Sequence, residues 1–208
     1  EISLANRRIV AIASDLSFDN FGLPLEQYNS LIDKVDLIYH CGAQVNIMSA
    51  YHKLRGSNVQ GTLEVIKFAT SHIDKPIHYI SSLSAACRRD ATNALAEDFP
   101  SDNYDELFGG YAISKWVSER LLTEINKRGL PTTIYRSGYI SGQSDTGITS
   151  LNDALLMLIK GCIQLGLAPD MNEKITILPV DFVSEAIVKI ALAEPAASTV
   201  YHIDHPTG

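Results

Sequence analysis

The feature that most constrains the fold is the alternation of short apolar runs with longer segments of helical periodicity. Runs of β-branched and aromatic residues recur along the chain, and segments with apolar residues three or four apart lie between them. Strands that alternate with helices at this spacing predict βαβ units and a mostly parallel sheet, and therefore an α/β fold. The predicted strands are 8–13, 35–40, 77–81, 132–136, 175–178 and 200–203, and the predicted helices are 26–34, 54–71, 111–128, 154–165 and 182–192.

The composition narrows the class of partner. A chain of 208 residues that is 46% hydrophobic suits an ordinary globular domain with a real core. Its net charge is −7 and it has no basic stripe, which argues against a nucleic-acid partner. No run reaches about 18 apolar residues, so we expect neither a transmembrane helix nor a membrane partner.

The three cysteines are an odd number and lie far apart, at Cys41, Cys87 and Cys162. This pattern argues against a disulfide framework and favours a reducing, cytoplasmic compartment. No cluster of cysteine and histidine has zinc spacing, so we expect no metal site.

A tyrosine and a lysine, Tyr111 and Lys115, lie four residues apart near the start of a predicted helix. They therefore share one face, about one helical turn apart. A nearby ammonium lowers the pKa of a phenol, so the pair can exchange a proton with an alcohol or carbonyl oxygen. Ser82 ends the preceding predicted strand, so the three side chains are expected to converge at the carboxyl ends of parallel strands.

Two patterns predict burial. Residues 8–13 have the profile of a buried strand. In helix 111–128 the apolar stripe predicts the face that packs on the core, and Gly129 is expected to end the helix. The stripe consists of Ile113, Val117, Leu121 and Ile125.

Ser82 followed 29 residues later by Tyr-x-x-x-Lys resembles the catalytic triad of the extended short-chain dehydrogenases/reductases. A narrower resemblance is to the thioester reductase domains that end nonribosomal peptide synthetases, and carboxylic acid reductases and aminoadipate reductases carry similar domains. The matching segments, in family order, are 14–17, 35–46, 51–55, 58–62, 110–116, 135–142 and 178–183.

The resemblance implies a role for each residue of the triad. Tyr111 would donate a proton to a carbonyl oxygen while a nicotinamide hydride attacks the carbon. Ser82 would hydrogen-bond the same oxygen, although the family usually has threonine there. Lys115 would hold the nicotinamide ribose and lower the pKa of the tyrosine. Asn58 would lie near the active site, in contact with substrate or in a proton relay.

The resemblance also implies a dinucleotide site for NADPH, with NADH left open. Asp15 and Leu16 would meet the adenine. Gly42 and Ala43 would let the cofactor approach the backbone closely. The residues that would flank the nicotinamide are Gly138, Tyr139 and Ile140, and Ser137 replaces a proline that is common beside them.

The family's glycine-rich turn, Gly-x-x-Gly-x-x-Gly, is expected ahead of Arg8, and residues 1–208 do not supply it. We therefore expect a Rossmann-like, doubly wound parallel sheet of the extended type that lacks its N-terminal βαβ part, within a larger multidomain chain. The expected division is a partial NAD(P)-binding Rossmann domain over 1–142. A partial substrate-binding region, interleaved with the last Rossmann elements, would cover 143–208.

The implied activity is NAD(P)H-dependent reductive release of an acyl or peptidyl thioester as an aldehyde or alcohol. The thioester would be carried on the phosphopantetheine arm of a carrier protein. Three alternatives stay open: a sugar-nucleotide epimerase or dehydratase, a fatty acyl-CoA reductase, and a catalytically silent cofactor-binding scaffold. Residues 84–87 argue against an epimerase or dehydratase, because such enzymes typically carry Val-Tyr-Gly after the serine strand and this chain has Ser-Ala-Ala-Cys there. The presence of both Tyr111 and Lys115 argues against a catalytically silent scaffold.

Overall fold

The computed structural model describes residues 8–86, 96–98, 100, 103–105, 107–151, 153–170, 176–194 and 198–204. These residues form strands and helices in alternation. The strands are β1 (Ile38–His40), β2 (Ile77–Ser82), β3 (Thr132–Ser137), β4 (Tyr139–Ser141), β5 (Ile177–Pro179) and β6 (Val200–Ile203). The helices are α1 (Leu25–Ile32), α2 (Tyr51–Arg55), α3 (Gly61–Ala69), α4 (Gly109–Lys127), α5 (Ala154–Leu165) and α6 (Val180–Ala193).

Four strands form one parallel sheet in the order β1-β2-β3-β6. Tyr79 of β2 is in register with Ile134 of β3, which is in register with Val200 of β6. Strands β4 and β5 form a separate two-stranded parallel sheet. The α/β fold with a parallel sheet predicted from the sequence is confirmed.

Helices cover both faces of the main sheet. On one face, Val65 of α3 and Leu122 of α4 pack in a core with Ile77, Tyr79 and Ile134. On the other face the core joins β3 and β6 to helix α6. Its buried members are Tyr135, Leu178, Val183, Ile187 and Ile203. Helices on two faces of a parallel sheet make the doubly wound arrangement that was expected.

The helix predicted over 54–71 differs in two ways from the observed structure. It begins earlier, with α2, and a π-helical turn over Gly56–Gln60 separates α2 from α3. A π-turn inserts an extra residue into a helix and is frequent at functional sites. Here it places the polar Asn58 beside Val59 in the interior, where the two are 1% and 4% exposed.

Residues 8–13 do not form the buried strand that was predicted. Ile9 is 43% exposed and Val10 is 78% exposed. No described strand pairs with this segment, and strand β1 pairs with β2 alone. A parallel strand needs a neighbour for its N–H and C=O groups, so a segment with β-propensity but no partner strand stays outside the sheet, and this one is largely exposed.

The predicted buried stripe of α4 is also wrong. Its four apolar residues, Ile113, Val117, Leu121 and Ile125, are only partly buried. The most buried face is largely polar, with Ser114, Lys115, Ser118 and Glu119 next to Ala112 and Leu122. These polar groups have hydrogen-bond partners inside the fold, as described below, which is the condition for burying them.

Some expectations fall partly outside the described residues. Residue 175, where the fifth strand was expected to begin, and Cys87 belong to this group. Strand β6 and helix α6 pack with the main sheet, while the division at residue 142 stays a prediction. Within the part of the chain that the structure describes, no helix has the length and apolar character needed to cross a membrane.

Candidate active site

Ser82 is the last residue of β2 and begins a short 3-10 turn over Leu83–Ala85. Its backbone is extended, with φ −148° and ψ 146°, and its side-chain oxygen accepts a hydrogen bond from the N–H of Ser84. The hydroxyl of Ser84 lies 2.9 Å from the same oxygen. The strand therefore delivers Ser82 to the carboxyl edge of the sheet, and the turn holds its hydroxyl there.

Lys115 enters from α4 and is only 3% exposed. Its Nζ donates to the backbone oxygen of Ile80, at 2.7 Å, and lies 4.7 Å from the ring centre of Tyr79. Burial lowers the pKa of Lys115 to about 8, while Glu119 and Cys41 raise it. The ammonium is thus held against β2, two residues before Ser82.

Tyr111 lies one turn before Lys115 on the same helix. Burial raises the pKa of Tyr111 to about 12, and the neighbouring phenol of Tyr139 adds to the rise. The lowering of this pKa by Lys115 that was expected from the sequence is therefore wrong for this structure. The reason is that the ammonium is engaged by Ile80 and by the Tyr79 ring, while burial disfavours the phenolate.

Asn58 connects the loop after β1 to helix α4. Its Oδ1 accepts from the N–H of Gln44 at 2.7 Å, and its Nδ2 donates to the oxygen of Gln44 at 3.2 Å. The same Nδ2 donates to Ser114 Oγ at 2.9 Å, and Ser114 Oγ donates to the oxygen of Tyr111 at 2.7 Å. Both amide donors are used inside the fold, so Asn58 links the loop after β1 to helix α4. Its role toward substrate or in a proton relay stays a prediction.

Three of the residues predicted to bind the cofactor line one cleft. The cleft has a volume of about 350 Å³, and its walls are Ser14, Asp15, Leu16, Ala43, Gln44 and Ser57. The carboxylate of Asp15 accepts from the N–H of Ser17 at 2.8 Å and from its hydroxyl at 2.7 Å, and these bonds lower the pKa of Asp15. An acceptor-rich cleft of this kind suits the hydroxyl and amino groups of a nucleoside.

Gly42 precedes Ala43, which lines this cleft. A Cβ at Gly42 would overlap Cδ1 of Leu16, and a Cβ at Gly61 would lie 2.8 Å from Leu16 Cβ. The glycines therefore let the segment that carries Asp15 lie directly on the loop after β1 and on α3. This close approach brings Asp15 and Ala43 together at the cleft.

The residues predicted to flank the nicotinamide divide among three roles. The N–H of Gly138 donates to the oxygen of Ile203 at 3.1 Å, which fixes the end of β3. The hydroxyl of Tyr139 accepts from the N–H of Leu155 at 2.9 Å and so holds the first turn of α5. Ile140 packs against the core of the second sheet face. Of the three, Tyr139 is the one that the structure brings next to Tyr111.

Sequence reasoning missed a buried polar cluster directly beneath the site. Glu119 of α4 pairs with Arg136 of β3, and Ser81 of β2 donates to the same carboxylate at 2.5 Å. Two signals in the sequence point to this cluster. Glu119 falls one turn after Lys115, and Arg136 interrupts an otherwise uncharged strand.

Comparisons with known proteins agree with this geometry. A family model described as "Male sterility protein", designated NAD_binding_4, matches residues 1–187. One component of the linear gramicidin synthase of Brevibacillus parabrevis is 37% identical over 202 residues, which is 96% of this chain and 4% of that protein. The L-2-aminoadipate reductase large subunit of Penicillium chrysogenum is 35% identical over 213 residues, 97% of this chain and 15% of that protein.

Among solved structures, the chain is similar to the terminal R domain from the myxalamid PKS-NRPS biosynthetic pathway. The TM-score is 0.87 at 38% sequence identity, and the match covers 96% of this chain and 51% of that chain. The chain thus spans about half the length of this solved relative and a small part of the two synthetase and reductase chains.

Proposed function

The chain belongs to the NAD-binding family described as male sterility protein, in the extended short-chain dehydrogenase/reductase superfamily, and on this basis we propose that it contributes to a nicotinamide-dependent thioester reductase. The substrate is an acyl or peptidyl thioester on the phosphopantetheine arm of a carrier protein. The product is an aldehyde, or an alcohol where a second round of the same chemistry follows.

The cofactor is assigned to the cleft and to the sheet edge beside it. Asp15 and Leu16 would hold the adenosine end, and Gly42 and Ala43 would let the cofactor approach the backbone closely. Lys115 would hold the ribose next to the nicotinamide. When bound, the reduced cofactor, NADPH or NADH, supplies a hydride to the thioester carbon. The contact between Leu16 and Gly42 supports this assignment, because it brings the segment that carries Asp15 next to the loop that carries Ala43.

Tyr111 is assigned as the proton donor. With its pKa raised to about 12, the phenol is protonated at neutral pH and holds its proton until the substrate oxygen becomes basic. Ser82 donates a hydrogen bond to the same oxygen as negative charge develops on it. Both groups act on one atom, the carbonyl oxygen of the thioester.

The reaction balances with one hydride and one proton. Addition to the carbonyl carbon and protonation of the oxygen by Tyr111 give a hemithioacetal. Its carbon–sulfur bond then breaks, the hydroxyl returns its proton to the site, and the sulfur leaves as a thiol. One thioester, one reduced nicotinamide and one proton thus give one aldehyde, one thiol and one oxidised nicotinamide.

The multidomain synthetases to which similar proteins belong support a carrier-bound substrate. One belongs to linear gramicidin synthase, and another is the terminal R domain of a PKS-NRPS pathway. A reductase at the end of such a chain receives its acyl group from the preceding carrier. The names of these relatives are the basis for choosing a thioester over a sugar nucleotide.

The observation that carries the proposal is the bond of Lys115 Nζ to the oxygen of Ile80, at 2.7 Å. It attaches the helix of Tyr111 to strand β2 two residues before Ser82. The test incubates the full-length protein with a carrier protein loaded with an acyl thioester and with NADPH or NADH. Loss of reduced cofactor together with release of an aldehyde or alcohol is the expected result.

Two results would overturn this function. In one, neither cofactor is oxidised although the loaded carrier binds. In the other, a sugar nucleotide is converted while the thioester stays intact. Product mass distinguishes these cases, and the ratio of oxidised cofactor to product separates two-electron from four-electron reduction.

A further inference from the structure

Among the residues that the structure describes, Ser84 makes two hydrogen-bond contacts with the side-chain oxygen of Ser82. The N–H of Ser84 lies 3.2 Å from Ser82 Oγ, and Ser84 Oγ lies 2.9 Å from it. The N–H is necessarily the donor of the first bond. The direction of the second bond decides what the Ser82 hydroxyl is free to do.

A serine hydroxyl has one O–H donor and two acceptor lone pairs. The N–H of Ser84 occupies one lone pair of Ser82 Oγ. If the Ser84 hydroxyl donates into the second lone pair, the remaining capacity of Ser82 is its own O–H. A group that stabilises a developing oxyanion needs a free donor that is already aimed.

We propose that Ser84 is a positioning residue that donates its hydroxyl proton to Ser82 and thereby leaves the Ser82 O–H to hydrogen-bond the carbonyl oxygen of the substrate. This inference rests on the proposed function. Ser84 touches no reacting atom and acts only through Ser82. A hydroxyl that accepts a hydrogen bond is also polarised toward donating one, so the contact strengthens the bond from Ser82 to the substrate.

The opposite direction has the opposite consequence. If Ser82 donates to Ser84, its proton is diverted from the substrate and Ser84 is a competitor. Removal of the Ser84 hydroxyl then frees Ser82 and raises the rate. The two directions are therefore separated by the sign of one kinetic effect.

Removal of this hydroxyl leaves the turn intact. The turn is closed by the bond from the N–H of Ala86 to the oxygen of Leu83, at 2.9 Å, and is anchored by Ala85, which is 2% exposed. The N–H of Ser84 continues to cap Ser82 in an alanine variant. Ser84→Ala thus removes one hydroxyl bond and keeps the backbone contacts.

The experiment compares Ser84→Ala, Ser84→Thr, Ser82→Ala and the double variant in the full-length protein. The substrate is an aliphatic acyl thioester of N-acetylcysteamine, with reduced nicotinamide as reductant. We expect Ser84→Ala to lower kcat about three- to tenfold, the worth of one hydrogen bond. The KM for the thioester and the Kd for the cofactor should stay within about twofold. Ser84→Thr keeps the hydroxyl and should restore kcat.

The double variant tests whether Ser84 acts through Ser82. Ser82→Ala should lose about a hundredfold or more in kcat, and adding Ser84→Ala should cause no further loss. Ser184→Ala, on the exposed side of α6, is the matched control for a serine without contact to Ser82.

Each remaining outcome is decisive. An unchanged or raised kcat in Ser84→Ala overturns the role of Ser84 while the reductase assignment stands. A further loss in the double variant shows that Ser84 acts independently and also overturns it. A wild-type protein that reduces neither the thioester nor an aldehyde with either cofactor overturns the proposed function and this inference together.

Discussion

Glu119 and Arg136 form a doubly hydrogen-bonded ion pair in the interior. Arg136 Nη2 lies 2.7 Å from Glu119 Oε2, Nε lies 3.1 Å from Oε1, and the side chains are 2% and 0% exposed. Ser81 adds its hydroxyl to the carboxylate, and His202 Nε2 lies 3.2 Å from Arg136 Nη1. The pair therefore ties α4 to strands β2, β3 and β6 directly beneath Ser82.

Neutralising the carboxylate should destabilise the fold strongly. Glu119→Gln leaves the Arg136 guanidinium buried without a countercharge, and loss of one partner of a buried pair costs about 3–5 kcal/mol. Glu124→Gln is the control. Glu124 pairs with Lys127 on the same helix, but its side chain is 50% exposed, so Glu124→Gln should lower the stability far less than Glu119→Gln. Urea unfolding measures the stability of both variants. Equal losses of stability in Glu119→Gln and Glu124→Gln would contradict the structural role of the buried pair.

Asn58 should be needed for cofactor binding through its hold on Gln44. Asn58→Ala leaves the N–H and oxygen of Gln44 without their amide partners, and Gln44 lines the cleft. We expect a loss of about 1–3 kcal/mol in stability and a weaker Kd for NADPH by fluorescence titration. Asn29→Ala, on the exposed face of α1, should change neither. An unchanged Kd in Asn58→Ala would show that the loop holds its shape without the amide.

The order and type of most elements followed from local pattern. Strand β2, helix α4 and strand β3 lie within a few residues of their predicted bounds, because apolar periodicity and the glycine at 129 are local signals. Parallel pairing followed from the alternation of strands and helices. Residues 8–13 show the limit of this reasoning, since β-propensity cannot report whether a neighbouring strand exists.

The prediction of the buried face of α4 was wrong for a different reason. Apolar periodicity counts hydrophobic residues, whereas this helix buries polar ones that find partners far away in sequence. Glu119 meets Arg136 17 residues later, and Ser114 meets Asn58 56 residues earlier. Only the fold brings such partners together, so apolar periodicity does not identify the buried polar face.

The candidate site was accessible through resemblance to a family rather than through pattern. Asp15, Leu16 and Ala43 lie in one cleft although 27 residues separate Leu16 from Ala43. The direction of the Tyr111 pKa was not accessible in this way, because it depends on burial and on Tyr139. Burial and the proximity of Tyr139 are set by the tertiary structure. The catalytic roles assigned to Ser82, Tyr111 and Lys115 stay predictions.

Removing the hydroxyl of Tyr111 should abolish reduction and spare cofactor binding. A positioned proton donor contributes about 10²–10⁴-fold to a rate, so Tyr111→Phe should lose at least about a hundredfold in kcat. The Kd for NADPH should change less than about twofold. Tyr104→Phe is the control, because Tyr104 is 50% exposed and its ring packs at a tilt against Trp116. Full turnover in Tyr111→Phe would remove Tyr111 from the mechanism.

The buried ammonium of Lys115 should impose a pH dependence on stability. Its pKa falls from 10.5 to about 8 in the folded protein, mainly through burial. Between these values the folded state loses the proton while the unfolded state keeps it, so the contribution of this group to stability rises with pH. The full rise is about 3 kcal/mol, complete near pH 10.5. His40, Cys41, Tyr79 and Glu119 are the titratable groups around it.

The measurement is the difference in unfolding free energy between the wild type and Lys115→Met from about pH 7 to about pH 9.5, a range that spans the folded-state pKa. Methionine fills a similar volume without a charge, so groups that titrate in both proteins cancel. We expect the unfolding free energy of the wild type to rise steadily relative to that of the variant above about pH 8. A difference that stays flat over this range would mean that Lys115 keeps its ordinary pKa in the fold.

Two helical glycines should respond to alanine with opposite signs. A Cβ at Gly110 of α4 would overlap the N–H of Tyr51 and the oxygen of Ser49, where α4 crosses α2. A Cβ at Gly161 of α5 would meet nothing within 4 Å. Gly110→Ala should therefore cost about 1–3 kcal/mol through overpacking, whereas Gly161→Ala should gain about 0.5–1 kcal/mol from better helix propensity. Thermal unfolding of both variants measures the difference, and a neutral Gly110→Ala would refute the close contact between α4 and α2.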